Sequence, residues 1–525
     1  MTTLARGHVE LPVVVERESP VSLASQIAAG LREAVADGRL AAGERLASSR
    51  ALAVSLGVSR TVVTSAYAQL YAEGWLDGRH GSGTYVAAGA PGQIAPAARR
   101  AAGGADDRGE YFRPARHNQP RSAPAALLAS DARLAADARS AAHARLVADA
   151  RLAPGQQRAG GEPLIELRPG IPWARGIDRA AWRRAWRLAG AMPPSASLEP
   201  QGLADLRVAL ATHLRLSRAM RCAPDQILVT RGVAGSLRLL AAALLRPGDR
   251  VAMEDPGYPA ARAVFAAHGA QIAACRADEH GLVVSDLPSD VRLVYTTPAH
   301  QYPLGGRLPV PRRQALIAWA RATGALIVED DYDSEFRYDV APLPALFGLD
   351  PGVVVHLGTT TKTLTPALGV GWLVARPGLV AEIAAKAVSL GERTSEAAQY
   401  ALLALLDSGD LGRHVRRMRR EYGRRRAAIV AALGALAGPA RLLGDTAGLH
   451  VVLELPVGTA DQVAAAAVQR GVLVMTLERY FAGQATRDGL VLGYGGASLS
   501  QVSRACAVLR DLLASPPGSG AGTVS

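Results

Sequence analysis

The sequence predicts an α/β fold: a mostly parallel sheet flanked by helices, preceded by a small helical domain that closes in a two-stranded wing. Three observations predict it. Short apolar runs at 228–230, 251–254, 293–296, 325–328 and 353–357 alternate with longer helix-like segments, as in strands that cross over to parallel neighbours. Most of these runs stop in glycine, threonine or acidic residues, and sites in such sheets collect at strand carboxyl ends. The first 88 residues instead carry helical periodicity broken by turns. A chain of 525 residues exceeds what one core supports, which is about 250–300 residues.

The formal charge is +13, yet it is unevenly spread. Residues 1–88 hold 8 Arg and 8 carboxylates, and 89–160 hold 11 Arg and 6 carboxylates, so the basic excess lies after the first domain. The charge invites a nucleic-acid partner without establishing one. No apolar run approaches 18 residues and the start is not signal-like, so a cytoplasmic protein without a membrane partner is expected. Cys222, Cys275 and Cys506 are scattered without metal-ligand spacing; buried free thiols and no metal are expected.

In the first domain, Leu23, Ile27, Leu31 and Val35 fall at steps of four, one face of a helix that Gly38 ends. Ser49 is placed to cap a short helix from Arg50 to Leu56. Gly57-Val58 makes the turn, and Ser59 caps a helix running to about Glu73, with Val63, Tyr67 and Leu70 inward. Trp75-Leu76, RHGSG and Thr84–Val86 then read as a wing. The string LREAVADGRLAAGERLASSRALAVSLGVSRTVV, followed by LYAEGWLDGRHGSGTYV, resembles the winged helix-turn-helix of GntR regulators. That resemblance implies contact with double-stranded operator DNA. Arg60, Thr61 and Thr64 would enter the major groove. Arg50 would meet phosphate or a base edge, the helix starts at Ser49 and Ser59 would meet phosphate, and His80 and Gly81 would reach the minor groove from the wing. Ala47 stands where the family usually has proline.

Residues 89–162 are rich in Ala, Gly, Pro and Arg and contain DARLAA, DARSAA, HARLVA and DARLAP in tandem. Six-residue spacing matches no helical face, so this segment reads as a flexible linker.

The chemistry lies further on. Of 59 basic residues only Lys362 and Lys386 are lysine. An amine can lose its proton and condense with a carbonyl, whereas guanidinium cannot. Lys362 follows Gly358 and three threonines at the end of one apolar run; Asp330, Asp331 and Tyr332 follow another. A carboxylate for a ring nitrogen and a phenol for a ring oxygen suit a pyridoxal ring. Leu228–Thr230 leads through Arg231–Ser236 into a helix, the strand–glycine-turn–helix arrangement whose free N–H groups meet phosphate.

EDDYDSEFRYD and LGTTTKTLTPAL resemble the fold-type I aminotransferases, and more closely the MocR subfamily of GntR regulators. The resemblance implies a fold-type I domain over 163–515 with a smaller C-terminal α/β subdomain, a DNA-binding domain over 18–88 and a disordered tail at 516–525. It implies pyridoxal 5'-phosphate held by Lys362 as a Schiff base. Asp330 would face the ring nitrogen, Tyr332 the ring oxygen, and Tyr258 would stack on the ring. Val233, Ala234 and Thr359 would hold the phosphate. Tyr302 stands in register with the aminotransferase Asn, so the Asn hydrogen bond to the ring oxygen would be missing or replaced by one from His300. Three departures matter: Gly369 replaces the phosphate-binding Arg, Ser197 the tyrosine that reaches the partner's phosphate, and Val491 lies where the substrate-carboxylate Arg falls. The expectation is a homodimeric transcription regulator that senses the cofactor, with or without an amino compound; an active aminotransferase is the alternative. The basic run at 414–426 is expected to be a solvated helix face.

Overall fold

The computed structural model describes residues 15–17, 22–36, 40–41, 43–73, 75–79, 83–87, 164–197, 199–218, 220–338, 345–436 and 439–514. The tandem repeat and the tail therefore lie outside the described residues. The chain divides into two compact units, one holding the N-terminal domain with 308–319, the other the remaining large-domain residues.

The small unit contains α1 (Leu23–Ala36), α2 (Ser49–Leu56), α3 (Arg60–Glu73), β1 (Leu76–Arg79) and β2 (Gly83–Val86). Steps of four put Ile27, Leu31 and Val35 on one buried face, against Leu52, Val63, Tyr67 and Leu70. Each such aliphatic side chain contributes about 1.5–3 kcal/mol by leaving water. Gly57 ends α2 at φ +60°, a left-handed turn that suits glycine. The wing is antiparallel, with Leu76 opposite Val86 and Arg79 opposite Gly83.

The large unit runs β3 (Ile165–Glu166), α4 (Arg179–Ala191), α5 (Ala204–Arg218), β4 (Ile227–Thr230), α6 (Gly232–Leu244), β5 (Arg250–Asp255), α7 (Pro259–Ala267), β6 (Gln271–Asp278), β7 (Gly281–Leu282) and β8 (Leu293–Thr296). In chain order α8 (Val310–Thr323) follows, most of it counted with the small unit, and the large unit resumes with β9 (Leu326–Asp331), β10 (Val354–Thr359), β11 (Gly371–Val374), α9 (Pro377–Ser389), α10 (Glu396–Asp407) and α11 (Asp410–Leu433). It closes with β12 (Arg441–Leu443), β13 (His450–Leu455), α12 (Ala460–Gln469), β14 (Val472–Leu473), β15 (Met475–Thr476), β16 (Asp488–Gly493) and α13 (Leu499–Ala514).

The main sheet has the order β4-β11-β10-β9-β8-β5-β6-β7. Neighbours from β10 through β9, β8 and β5 to β6 are parallel, while β11 and β7 pair antiparallel. Leu237, Leu240 and Leu244 of α6 share one core with Met253, Val328, Val355, Leu357 and Leu373 of the sheet and Ile383 of α9. A second sheet, β12-β13-β16-β15, is antiparallel throughout and forms the smaller C-terminal part. Strands β9 and β10 run past the apolar stretches that signal them, so Asp330, Asp331 and Thr359 lie in their last turns of pleat rather than in loops. Helix α6 likewise begins at Gly232, inside the expected glycine turn.

Cys275 and Cys506 are buried free thiols; Cys222 is only partly covered. Burial pushes all three up to about 11, which keeps them protonated and unreactive at neutral pH. Among the described residues, no helix is long and apolar enough to cross a membrane.

Candidate functional site

In the small unit, Arg60, Thr61 and Thr64 lie exposed on the first turns of α3, and Arg50 is exposed in the first turn of α2. Ser59 caps α3, accepting the Val62 N–H at 3.4 Å. The expected cap at Ser49 is one residue off. Ser48, extended at φ −60° and ψ 153°, accepts the Ala51 N–H at 3.2 Å, because the capping residue is the last one before helical backbone begins, and that is Ser48. Ser49 is already helical, and its hydroxyl accepts Arg60 Nε at 3.4 Å, tying the two helix starts together. The Tyr67 hydroxyl donates to the Ala47 carbonyl at 2.6 Å and fastens α3 to the preceding loop. His80 and Gly81 lie outside the described residues.

In the large unit, the carboxyl ends of β9 and β10 bring Asp330, Tyr332 and Lys362 close enough that the Asp330 charge acts on both of the others. Lys362 Nζ donates to the Gly170 carbonyl at 2.7 Å. Gly170 sits at φ +81°, a left-handed turn that favours glycine, and a Cβ there would lie 2.9 Å from Nζ and displace the amine. Burial lowers the Lys362 pKa, opposed by Asp333 and Asp330, which moves the amine toward its nucleophilic form. Asp330 is buried, and its Oδ2 accepts the Tyr295 hydroxyl at 2.5 Å. Its Oδ1 is buried with no hydrogen-bond partner. An orphaned carboxylate oxygen costs about 1–3 kcal/mol, so it calls for a donor; a protonated ring nitrogen would supply one. Burial pushes the Asp330 acid up to about 7, with the Tyr295 bond opposing.

The Tyr332 hydroxyl donates to the His300 carbonyl at 2.9 Å and lies 2.9 Å from His300 Nδ1, itself 3.0 Å from Asp333 Oδ2. His300 Nε2 is buried without a partner. The loop carrying His300 is held from below by the buried Glu254 of β5, which accepts the Thr296 hydroxyl at 2.5 Å, the Thr297 hydroxyl at 2.6 Å and Gln301 Nε2 at 3.3 Å. A Cβ on Gly448 would meet His300 Cε1 at 2.0 Å, so that chain passes only as glycine. Tyr302 fills the middle of an aromatic cluster, its ring centroid 5.5 Å from Tyr258, 5.7 Å from Tyr332, 5.2 Å from His450 and 5.4 Å from Tyr480. Burial lowers His450 to about 3, leaving it neutral while Nε2 donates to the Pro303 carbonyl at 2.9 Å.

Val233 and Ala234 lie in the first turn of α6, whose start has no side-chain cap, so its leading N–H groups are available to an anion. A Cβ on Gly371 would lie 2.7 Å from Gly232 Cα; bare backbone on both lets α6 approach the β10–β11 pair. A Cβ on Gly232 would lie 3.8 Å from Thr359 Oγ1 and 4.0 Å from Thr361 Oγ1. Those two hydroxyls are 2.9 Å apart, and Thr361 is a neighbour that sequence patterning did not single out. Gly369 occupies a left-handed turn at φ +65° with open space around it. Ser197 is exposed. Val491 is fully buried on β16, packed with Leu304, Val452, Leu477, Tyr480 and Phe481.

Sequence patterning also missed Tyr295, Arg218, Glu329 and His356. Their signal is weak, because each gains meaning only from a residue distant in sequence. The Tyr295 contact makes a prediction. Replacing Tyr295 with Phe removes the bond that favours ionised Asp330. Pyridoxal phosphate affinity at pH 7 should fall about tenfold, and the pH below which affinity fails should move up. A Kd measured by absorbance titration across pH checks both; an unshifted profile sinks this role.

The two modules have known counterparts. Residues 178–487 match the family model for aminotransferase class I and II, and 23–86 match that for bacterial regulatory proteins of the gntR family. The chain is 36% identical over 486 residues to the HTH-type pyridoxine biosynthesis transcriptional regulator PdxR of Corynebacterium glutamicum, covering 93% of this chain and 95% of that protein. It is 33% identical over 514 residues to the probable rhizopine catabolism regulatory protein MocR of Rhizobium meliloti, covering 97% of each. Among solved structures, an archaeal alanine:glyoxylate aminotransferase superposes with a TM-score of 0.64 at 26% identity, covering 68% of this chain and 92% of that one. With both modules matched in order and regulators alike along nearly their whole length, the chain belongs to the MocR subfamily of GntR-type transcriptional regulators, a winged helix-turn-helix joined to a fold-type I aminotransferase domain.

Proposed function

We propose that this regulator binds double-stranded operator DNA as a homodimer through residues 18–88, and that its domain over 163–515, beyond the 89–162 linker, takes pyridoxal 5'-phosphate itself as the signal. The observation that carries this reading is the buried, unpartnered Asp330 Oδ1, with the Lys362 amine and the Tyr332 phenol within reach of the Asp330 charge. When bound, the cofactor supplies an aldehyde that condenses with an amine and a ring that accepts electron density. Asp330 would hold the ring-nitrogen proton, Tyr332 and His300 would face the ring oxygen, and Tyr258 would cover the ring. The Val233 and Ala234 amides with the Thr359 hydroxyl would take the phosphate. Gly369 offers no guanidinium there, so affinity should be about one to two decades below that of a site with the arginine.

Val491 favours the cofactor alone over an amino-acid effector. An apolar core residue stands where a carboxylate-binding cation belongs, so an amino acid gains no ion pair. The relative named for pyridoxine biosynthesis fits a vitamin-directed signal. Ligand and operator would be coupled by the difference in cofactor affinity between two arrangements of the dimer. Binding to the chain's own upstream DNA, with and without pyridoxal phosphate, tests this; a cofactor-indifferent affinity overturns it. Arg60→Ala should weaken operator binding by about 1–3 kcal/mol, roughly 5- to 150-fold, without altering cofactor uptake; anisotropy titration measures it.

The intact Lys362, Asp330 and Tyr332 set favours a second reading, a working aminotransferase. Turnover of amino donors with a 2-oxo acid, abolished by Lys362→Ala, would establish that reading in place of the sensor.

A further inference from the structure

We infer that the large unit carries its own nucleic-acid contact, a basic ridge on α4 and α11 that holds the phosphate backbone of duplex flanking the operator core. Residues 173–192 and 410–426 contain thirteen arginines against three carboxylates, Asp178, Asp410 and Glu421. The fold sorts these arginines into two sets. One set is structural. Arg425 is fully buried, lies 4.4 Å from the Trp173 ring centroid and donates to the Tyr494 and Gly495 carbonyls at 3.2 and 2.8 Å. Arg417 donates to the Gly176 carbonyl at 2.5 Å and Arg419 to the Glu335 carbonyl at 2.9 Å.

The other set faces solvent in two helical stripes. Arg179, Arg183 and Arg187 recur every four residues along α4, all exposed. Arg413, Arg416, Arg420 and Arg424 follow steps of three, four and four along α11, also exposed. Side chains link the two helices: Arg184 reaches Asp410 at 3.1 Å, and Arg417 bonds the turn that opens α4. Arg413 is paired with Asp410 at 2.7 Å, and Arg424 meets Glu421 only at 4.0 Å. Among the described residues, no ion pair engages Arg179, Arg183, Arg187, Arg416 or Arg420.

Charge accounting points to the partner. The winged-helix region, 1–88, balances eight arginines with eight carboxylates. A duplex presents one phosphate charge per about 1.7 Å of axis, and each phosphate neutralised adds about 0.9 to the salt slope of binding. The reader therefore specifies sequence with little net field, and the unpaired arginines elsewhere are suited to a regular polyanion. Guanidinium forks match phosphate oxygens without reading bases. The inference rests on the chain's binding duplex through its winged helix, and not on any cofactor.

The test uses the full chain and two duplexes: the minimal operator, and the same operator extended on both sides with arbitrary sequence. Anisotropy titrations between about 50 and 200 mM KCl give the slope of log K against log salt. The wild type should show a steeper slope on the extended duplex. The variant Arg183→Gln, Arg187→Gln, Arg416→Gln and Arg420→Gln should lose about 2–4 of that slope on the extended duplex and none on the minimal one. Equal wild-type slopes on the two duplexes, with the minimal operator still bound, overturn the ridge and leave the reader standing. So does an unchanged slope in the variant. A variant that instead changes sedimentation while its slope holds assigns the face to a second copy of the chain, which also overturns the proposal.

Discussion

Replacing Lys362 with alanine should abolish the visible absorbance of protein incubated with pyridoxal phosphate, leave borohydride nothing to trap, and make operator affinity indifferent to the cofactor. The large effect follows from the chemistry: noncovalent contacts to ring and phosphate remain, but the one amine in the pocket is gone. Folding should survive, because among the described residues the side-chain hydrogen bond lost is the one from Nζ to the Gly170 carbonyl. Lys362→Arg separates charge from condensation. Guanidinium keeps the cation near Asp330 and Asp333 but cannot give up its proton. Arginine should therefore fail as completely as alanine. Colour retained by either variant would remove Lys362 from the account.

How much of this was legible in sequence depends on how local each signal is. Helix faces and caps were legible, because steps of four and serine-before-helix patterns act within a few residues. Even there the cap fell on Ser48 rather than Ser49, since two adjacent serines offer the same oxygen and only backbone geometry chooses. The run from Asp330 to Tyr332 and the lysine after the threonines were legible because strand ends carry chemistry in such sheets. The residues that tune them were not. Tyr295 reads as one apolar position of a buried strand, and only the β8–β9 pairing puts its hydroxyl on Asp330. Tyr302 stands where aminotransferases carry asparagine, and the structure packs it amid four rings, which sequence spacing cannot show. Arg218 reads as a solvated arginine at a helix end, yet its side chain is 3% exposed.

That last arginine supports the largest stability effect. Arg218 Nε lies 2.5 Å from Asp331 Oδ2, and its NH2 group lies 3.3 Å from Glu335 Oε2, all three nearly enclosed. Burial alone would lower the Arg218 pKa, but Asp331 and Glu335 outweigh it and hold the guanidinium charged. Burial would likewise raise the Asp331 acid, and Arg218, helped by His356, instead pulls it below the usual carboxylate range. His356 is in turn raised: burial lowers it, and its bond to Glu329 at 3.1 Å prevails. Arg218→Met keeps the volume and removes the cation that both acids pair with, so two buried carboxylates keep only the weaker pull of His356 on Asp331 and of Arg419 on Glu335. Removing one partner from such a cluster costs about 3–5 kcal/mol, which for the large unit lowers its thermal midpoint by roughly 4–7 °C. The pH dependence has a definite sign. In the wild type, the depressed Asp331 contributes stability that is present above its unfolded pKa of about 3.9 and is lost as pH falls through the lower folded value. In the variant, both acids are raised, so the folded state binds more protons than the unfolded one between the two pKa values. Its deficit should therefore be full at pH 8 and shrink as pH falls toward about 5. Adding Asp331→Asn and Glu335→Gln should recover most of the loss at pH 8, because no uncompensated buried charge remains. Thermal unfolding followed by circular dichroism at several pH values measures all three variants. A deficit that is flat with pH, or that the added amides fail to relieve, would mean that Arg218 stabilises through packing of its stem and not through the charges beside Asp330.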